Sequence, residues 1–368
     1  MASGWGTRSA GAAESLNNRT EMNLDWTSAR ARFSERFDAV VMLTASDWSA
    51  EPRSNRYHYA TRFARVSKVI FVQPDRMSNG FSFSHSGVGD LEILHVPERF
   101  DQAQANAIGE ALEKRNIRHP LIWTYSPHYA DVIQELGGVL SVFHATEDFF
   151  QPELRGQLPA TFYSRLTRLL NRLDLLVVVS EGVRDSYVQQ GRYRGEVLLL
   201  ENGCDFEFWL AHRETLANRA SSQRKTAFYQ GGINYRLDVD LIAGVARKLP
   251  DWEFRFCGAR DPSFADWKTV RRLPNVVDLG FLSPEEVAKE AWRADVGIIP
   301  FIRKPFIVEK SLPLKAFEYV ACDLPVVSVP IRALERWPEL FAFAETPEQF
   351  SREMLRVAET KPDPEQTC

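Results

Sequence analysis

The chain reads as an α/β protein of two domains, each built on a parallel sheet, and two observations predict it. Short apolar runs of strand length recur along the sequence, each followed by a helical pattern. Uninterrupted apolar strands belong to sheets covered on both faces, which is the habit of parallel sheets. The scheme then runs twice, with the polar stretch Ala220-Ser221-Ser222-Gln223-Arg224-Lys225 between the two halves. A length of 368 residues is enough for two cores.

The elements follow in order. Residues 1–35 are expected to be a disordered leader, because the first part lacks the apolar core of a secretory signal. The first domain, residues 36–203, opens on the strand Asp38–Thr44, followed by a polar loop and the helix Tyr57–Arg65. The strands Lys68–Gln73, Leu121–Thr124, Gly138–His144 and Leu175–Ser180 follow, and Glu196–Glu201 closes this half. In the second domain, residues 204–346, the strand Thr226–Gln230 leads to the helix Val239–Leu249. Next come the strands Trp252–Cys257 and Val276–Gly280, the helix Pro284–Trp292 and the strand Asp295–Pro300. Pro313 suits the first turn of a further helix, which Cys322-Asp323-Leu324-Pro325 stops before the buried strand Val326–Val329. Residues 347–368 hold a closing helix, Pro347–Ala358, expected to cross back onto the first domain.

Composition narrows the functional classes. A hydrophobic content of 44%, a charged content of 26% and a net charge of −4 describe a globular protein and argue against a general nucleic-acid binder. The four cysteines lie far apart, with no Cys/His cluster, so a reducing compartment without structural zinc is expected. No apolar stretch approaches the roughly 20 residues of a membrane span. The expectation is a cytoplasmic protein.

Two such domains face a cleft, and ligands bind there at the C-terminal ends of the strands. Gln230-Gly231-Gly232-Ile233-Asn234 lies in such a place. Its glycines let the backbone approach a phosphate, and the helix that follows favours an anion, although an ordinary glycine turn explains it equally. Lys315 and Glu318 stand three apart on one helix face. They suit a phosphate and the hydroxyls of a ribose, or else form a surface ion pair of a few tenths of a kcal/mol. His144-Ala145-Thr146-Glu147-Asp148 ends a strand and offers general bases or a helix cap. The polar, aromatic loop from Asp47 to His58, with Glu51, Asn55 and Arg56, is long for its position and reads as a binding loop or as solvated decoration. Asn202-Gly203 marks a turn between the domains. Arg155, Arg165, Arg168 and Arg172 interleave with apolar residues in an amphipathic stretch. That stretch rests on an anionic membrane surface or else packs on the core with its arginines in water.

Taken together, Val177–Val183, Leu200–Phe206, Gly231–Asn234 and Pro313–Tyr319, in that order, resemble the GT-B glycosyltransferases that build bacterial exopolysaccharides, over Phe37 to Phe343. The resemblance implies two Rossmann-like domains, the second binding a nucleotide-sugar and the first an acceptor. It implies Gly231, Gly232 and Asn234 near the diphosphate, Phe281 near the base, Lys315 at the phosphates and Glu318 on the ribose. No metal and no further cofactor are implied, since a helix dipole and a lysine can stabilise the leaving diphosphate. The large retaining branch often carries two glutamates eight apart; here Lys310 stands eight residues before Glu318. Leu43–His58 is similar instead to the inverting xanthan-type glucuronosyltransferases, whose base matches Glu147, with Asp148 as rival. The expectation is therefore inverting transfer from a UDP-sugar to a glycan or lipid-linked oligosaccharide at the inner membrane face. Lys310 would pair with a uronic-acid donor, and Asp47, Asn55, His58 and His144 would contact the acceptor. A retaining transferase, a sugar-nucleotide epimerase and a non-catalytic nucleotide-sugar-binding protein stay open beside it.

Overall fold

A computed structural model describes residues 25–51, 53–138, 140–151, 158–213 and 224–359. The first sheet contains β1 (Ala39–Leu43), β2 (Lys68–Asp75), β3 (Ser82–His85), β4 (Leu91–Pro97), β5 (Pro120–Thr124), β6 (Leu140–Ala145), β7 (Leu175–Val178) and β8 (Glu196–Leu199). Its order is β3-β4-β2-β1-β5-β6-β7-β8, parallel except for the antiparallel β3–β4 pair at one edge. All five residues of β1 are fully buried, as a central strand with helices on both faces requires. The chain leaves β1 for β2 on one side and reaches β5 on the other, so the loop after β1 opens at the point where the strand order reverses.

The second sheet contains β9 (Thr226–Gln230), β10 (Glu253–Cys257), β11 (Val276–Gly280), β12 (Val296–Ile299), β13 (Val326–Ser328) and β14 (Phe341–Phe343). Its order is β11-β10-β9-β12-β13-β14, with every pair parallel. The reversal here falls at β9, whose end is the Gly231–Gly232 turn. No helix among the described residues is long and apolar enough to cross a membrane.

Several expectations need correction. The sequence reading did not find β3, β4 or β14, which are edge or near-edge strands with mixed burial. Residues 25–35 are ordered: Asp25 caps the helix Trp26–Ser34 through Ser28 N–H, and Arg65 lies over the Trp26 ring at 5.1 Å. The rest of the expected leader lies outside the described residues. The helix Pro347–Ala358 stays on its own domain. Phe350, Met354 and Val357 sink into the second core, and Lys248 pairs with Glu348 at 2.7 Å.

The arginine-rich stretch forms the helix Ala160–Leu170, with Phe162, Leu166, Leu169 and Leu170 buried. Its cations are spent within the first domain. Arg168 grips Asp131 through two bonds of 2.9 and 3.0 Å, Arg165 meets His128 Nδ1 at 3.2 Å, and Arg172 bonds Gln134. That leaves little of the face that membrane docking would use. Arg155 and the polar run at 220–223 lie outside the described residues.

One seam brings the two domains together. Ser180 Oγ donates to the carbonyl of Lys310 at 2.5 Å, and Lys310 Nζ reaches Asp148 Oδ2 at 2.6 Å and Ser186 Oγ at 2.8 Å. Gly182 makes this approach possible, since a Cβ there would lie 2.3 Å from the Glu309 carbonyl and 3.0 Å from Lys310 Cα. Gly182→Ala is therefore expected to cost about 1–3 kcal/mol, the usual range for overpacking. Gly109→Ala, inside the helix Gln102–Lys114 with nothing within 4 Å, should be neutral or gain up to about 1 kcal/mol. Urea unfolding of both variants checks this, and equal effects would remove the seam from the account.

Candidate functional site

The two sheets present their strand ends to a single cleft of about 1090 Å³. Its second-domain wall is built on β9. Gln230 N–H donates to Tyr319 Oη at 3.0 Å, and Tyr319 donates on to the Phe228 carbonyl at 3.2 Å, which locks the helix Leu314–Ala321 against the strand. Gly231 has φ +124°, a left-handed conformation, and a Cβ on it would sit 3.1 Å from Lys315 Nζ. Pro313 occupies the cap of that helix rather than its first turn and offers no side-chain cap, and Pro313, Leu314 and Lys315 bring this end of the helix to the cleft lining.

Lys315 and Glu318 do not form the surface pair that their spacing allowed. Both are half-buried and line the cleft. Lys315 Nζ lies 4.9 Å from the Tyr229 ring and 4.7 Å from the Phe301 ring, held by two aromatic faces. Glu318 Oε2 accepts from Gln230 Nε2 at 2.6 Å. Burial pulls Lys315 down to about 8 and pushes Glu318 up to about 7, while the charge of each partly opposes the other's shift. An anion arriving beside Lys315 would restore its full charge.

The first-domain wall follows β6. Asp148 is 4% exposed, and its Oδ2 takes Lys310 and Ser186 while Oδ1 takes the Phe150 N–H at 2.9 Å. Glu147 is more open, with 44% of its side chain exposed, and Arg236 Nη2 approaches both of its carboxylate oxygens at 2.8 Å from across the cleft. In the loop after β1, Glu51 accepts from Ser54 Oγ and from Arg56 Nε at 2.9 Å. Asn55 donates to Asn202 at 3.0 Å, and Asn202 donates to the Leu312 carbonyl at 2.6 Å, so the turn between the domains ties this loop to the start of the helix Leu314–Ala321. Arg53 completes the span, its guanidinium 3.7 Å over the Phe208 ring and 3.2 Å from Glu285.

Ten of the residues expected at the site thus line this cleft: Glu147, Asp148, Gly231, Gly232, Phe281, Lys310, Lys315, Glu318, Asn55 and His58. Three do not. Asn234 turns away to accept the Arg236 backbone N–H at 3.0 Å, and Asp47 caps the short turn Trp48–Ala50 through Ser49. His144 is fully buried behind the wall, packed against Tyr59, Trp123 and Tyr125, and neither ring nitrogen has a hydrogen-bond partner. Lys310 is within the cleft lining but committed to Asp148, so it is not free to meet a carboxylate on a donor. Sequence reasoning missed Arg236 and Ser186, and named Gln230 only as the first residue of the glycine turn. Arg236 could have been suspected from its place five residues past Gly231, whereas nothing local marks Ser186.

His144 also sets a pH dependence. Burial holds it down at about 3, and burial with Arg62 holds His58 at about 4, against 6.5 for a free histidine. The unfolded chain binds more protons between these values. Stability is therefore full above pH 6.5 and is lost as pH falls toward 3, by up to about 1.4 kcal/mol per pH unit for each histidine. His144→Phe should flatten the acid limb of urea-unfolding free energy by one proton; an unchanged slope would refute this assignment.

Comparison with known proteins adds likenesses to the geometry. Residues 229–360 match the family Glycosyl transferases group 1. The chain is 24% identical over 341 residues to TuaH of Bacillus subtilis (strain 168), named a teichuronic acid biosynthesis glycosyltransferase, with 83% of this chain and 84% of that one covered. Sucrose-phosphate synthase from Thermosynechococcus elongatus superposes with a TM-score of 0.69 at 15% identity, over 89% of this chain and 90% of that one. HepE of Anabaena, solved with UDP and glucose, superposes with a TM-score of 0.62 at 11% identity, over 90% and 96%. The shared fold is GT-B.

Proposed function

Because this chain has the GT-B fold and carries a group 1 glycosyltransferase domain over residues 229–360, we propose that it transfers a sugar from a nucleotide-sugar to a glycan hydroxyl in bacterial polysaccharide synthesis. The observation that carries the reading is the opposition of the two cleft walls. One wall gathers a cation, a glycine turn and an uncapped helix N-terminus, and the other a half-open carboxylate at a strand end. The TuaH likeness supports polysaccharide synthesis, and the UDP of the HepE structures supports a uridine nucleotide.

The donor diphosphate lies against Gly231–Gly232, the N-terminus of the helix Leu314–Ala321 and Lys315. Glu318 takes the ribose hydroxyls, and Phe281, exposed at the mouth, takes the base. Glu147 receives the proton of the acceptor hydroxyl as that oxygen bonds to the anomeric carbon. The bond from that carbon to the β-phosphate oxygen breaks, and its electron pair leaves with the nucleoside diphosphate. The helix terminus and Lys315 receive the new charge, and the reading asks nothing of a metal. Asp148 is the poorer base, because its oxygens already serve Lys310, Ser186 and the Phe150 N–H. A uronic-acid donor finds no free lysine at 310, so the reading leaves the donor sugar unassigned.

A thermal-shift screen with UDP, GDP and dTDP identifies the nucleotide, a ligand at 100 times its Kd adding about 2.7 kcal/mol. Turnover with the matched donor should persist in EDTA and give a product of inverted anomeric configuration by NMR; retained configuration overturns the inverting step. Glu147→Ala should lose about 10²–10⁴-fold in kcat with nucleotide binding no weaker than wild type, the ordinary contribution of a general base.

The lysine makes its own test. Nucleotide affinity should fall as pH rises through about 8, where Lys315 loses its charge. In Lys315→Met the affinity should be weaker and flat across that range; a pH dependence kept in the variant would remove Lys315 from the phosphate site.

A further inference from the structure

We propose that Arg236 is shared between Glu147 and the donor, so that the free enzyme holds its base occupied and nucleotide binding releases it. The inference rests on the reading of the cleft as a donor and acceptor site, and three observations carry it.

The first is where Arg236 stands. It follows the Gly231–Gly232 turn on the second-domain wall, and its backbone N–H is fixed by Asn234 Oδ1 at 3.0 Å. Its side chain therefore starts beside the wall assigned to the diphosphate and ends on the opposite domain. The second is what Arg236 leaves unspent. A guanidinium carries five N–H donors in a rigid fork. Nη2 serves the two oxygens of Glu147 and the guanidinium also meets Tyr235, while Nε is buried and has no hydrogen-bond partner. A buried donor without an acceptor is costly, and phosphate oxygens are the acceptors that a guanidinium fork fits best. The third is a contrast. Of the ion pairs that bridge the cleft, those on the neighbouring carboxylates Glu147 and Asp148 differ in depth. The Lys310–Asp148 side chains are 14% and 3% exposed, whereas those of Arg236 and Glu147 are 34% and 44% exposed. Partly solvated pairs are weak, so a diphosphate can displace the carboxylate from Arg236 while the buried pair stays closed.

The consequence is an order of events. Without donor, an acceptor hydroxyl meets a Glu147 whose oxygens are engaged. Once Arg236 turns to the diphosphate, the carboxylate is free to take the proton. Donor binds first, and readiness for chemistry is tied to its presence.

Calorimetric titration of the matching nucleoside diphosphate (UDP in the first instance) into the full-length protein tests this. Removing the competitor should tighten binding: Glu147→Gln and Glu147→Ser should each bind about two- to fivefold tighter than wild type, the worth of a partly exposed ion pair. Arg236→Ala should bind about tenfold more weakly, and Arg236→Ala combined with Glu147→Gln should match Arg236→Ala alone. Thermal melts of the free variants establish that they are folded. Unchanged or weaker binding in both folded Glu147 variants overturns the proposal, as does a Glu147→Gln gain that survives without Arg236. If UDP, GDP and dTDP all fail to bind wild type, the reading of the cleft itself fails, which is a separate result.

Discussion

The buried pair of Lys310 and Asp148 determines how the two domains meet, and the cleft is arranged around it. Two charges withdrawn from water are costly unless their remaining bonding capacity is met. Here Ser186 serves both partners, the Phe150 N–H takes the other aspartate oxygen, and Ser180 takes the Lys310 carbonyl. Lys310 comes from the loop that runs straight into the helix Leu314–Ala321. Fixing that loop on the first domain therefore fixes the depth at which the N-terminus of the helix enters the cleft. Asn202, bonded to Leu312 and to Asn55, holds the same loop from its other side.

Around this anchor the ionisable groups divide by environment. Lys315 and Glu318 are enclosed by aromatic and backbone groups, and their charged forms are both made less favourable. Such a pair is poised to respond to a charged ligand, which a solvated pair is not. Asp148 is buried, with both oxygens engaged. Glu147 is half open, and a single guanidinium engages both of its oxygens. Two neighbouring carboxylates thus acquire different environments from burial and partners alone.

The likeness to TuaH and the group 1 match over residues 229–360 support a glycosyltransferase, while the solved neighbours, at 11–15% identity, speak to the fold. The architecture was legible because buried parallel strands carry uninterrupted apolar runs, which fill β1 and β12 and form the centres of β2 and β9. Edge strands were not legible. β3 is four residues long and mostly exposed, and the alternation of Phe81 and Phe83 with serines is too short to mark a strand. The helix Pro347–Ala358 was found with its bounds right and its docking wrong. Periodicity shows that a helix has an apolar face, not which core receives it.

The candidate site divides in the same way. The sequence by itself determined which residues could reach a cleft, because position after a strand and spacing along a helix are local properties. Gly231, Gly232, Lys315, Glu318 and Glu147 were legible on that basis. Only the tertiary structure decided what each of them faces. It sent His144 behind the wall, turned Asn234 and Asp47 into turn caps, and brought Arg236 across to Glu147, 89 residues away in the chain. It also gave Lys310 an aspartate 162 residues distant as its partner. A charge has no preferred neighbour in sequence, and only the folding of two domains onto one seam puts these groups within bonding distance.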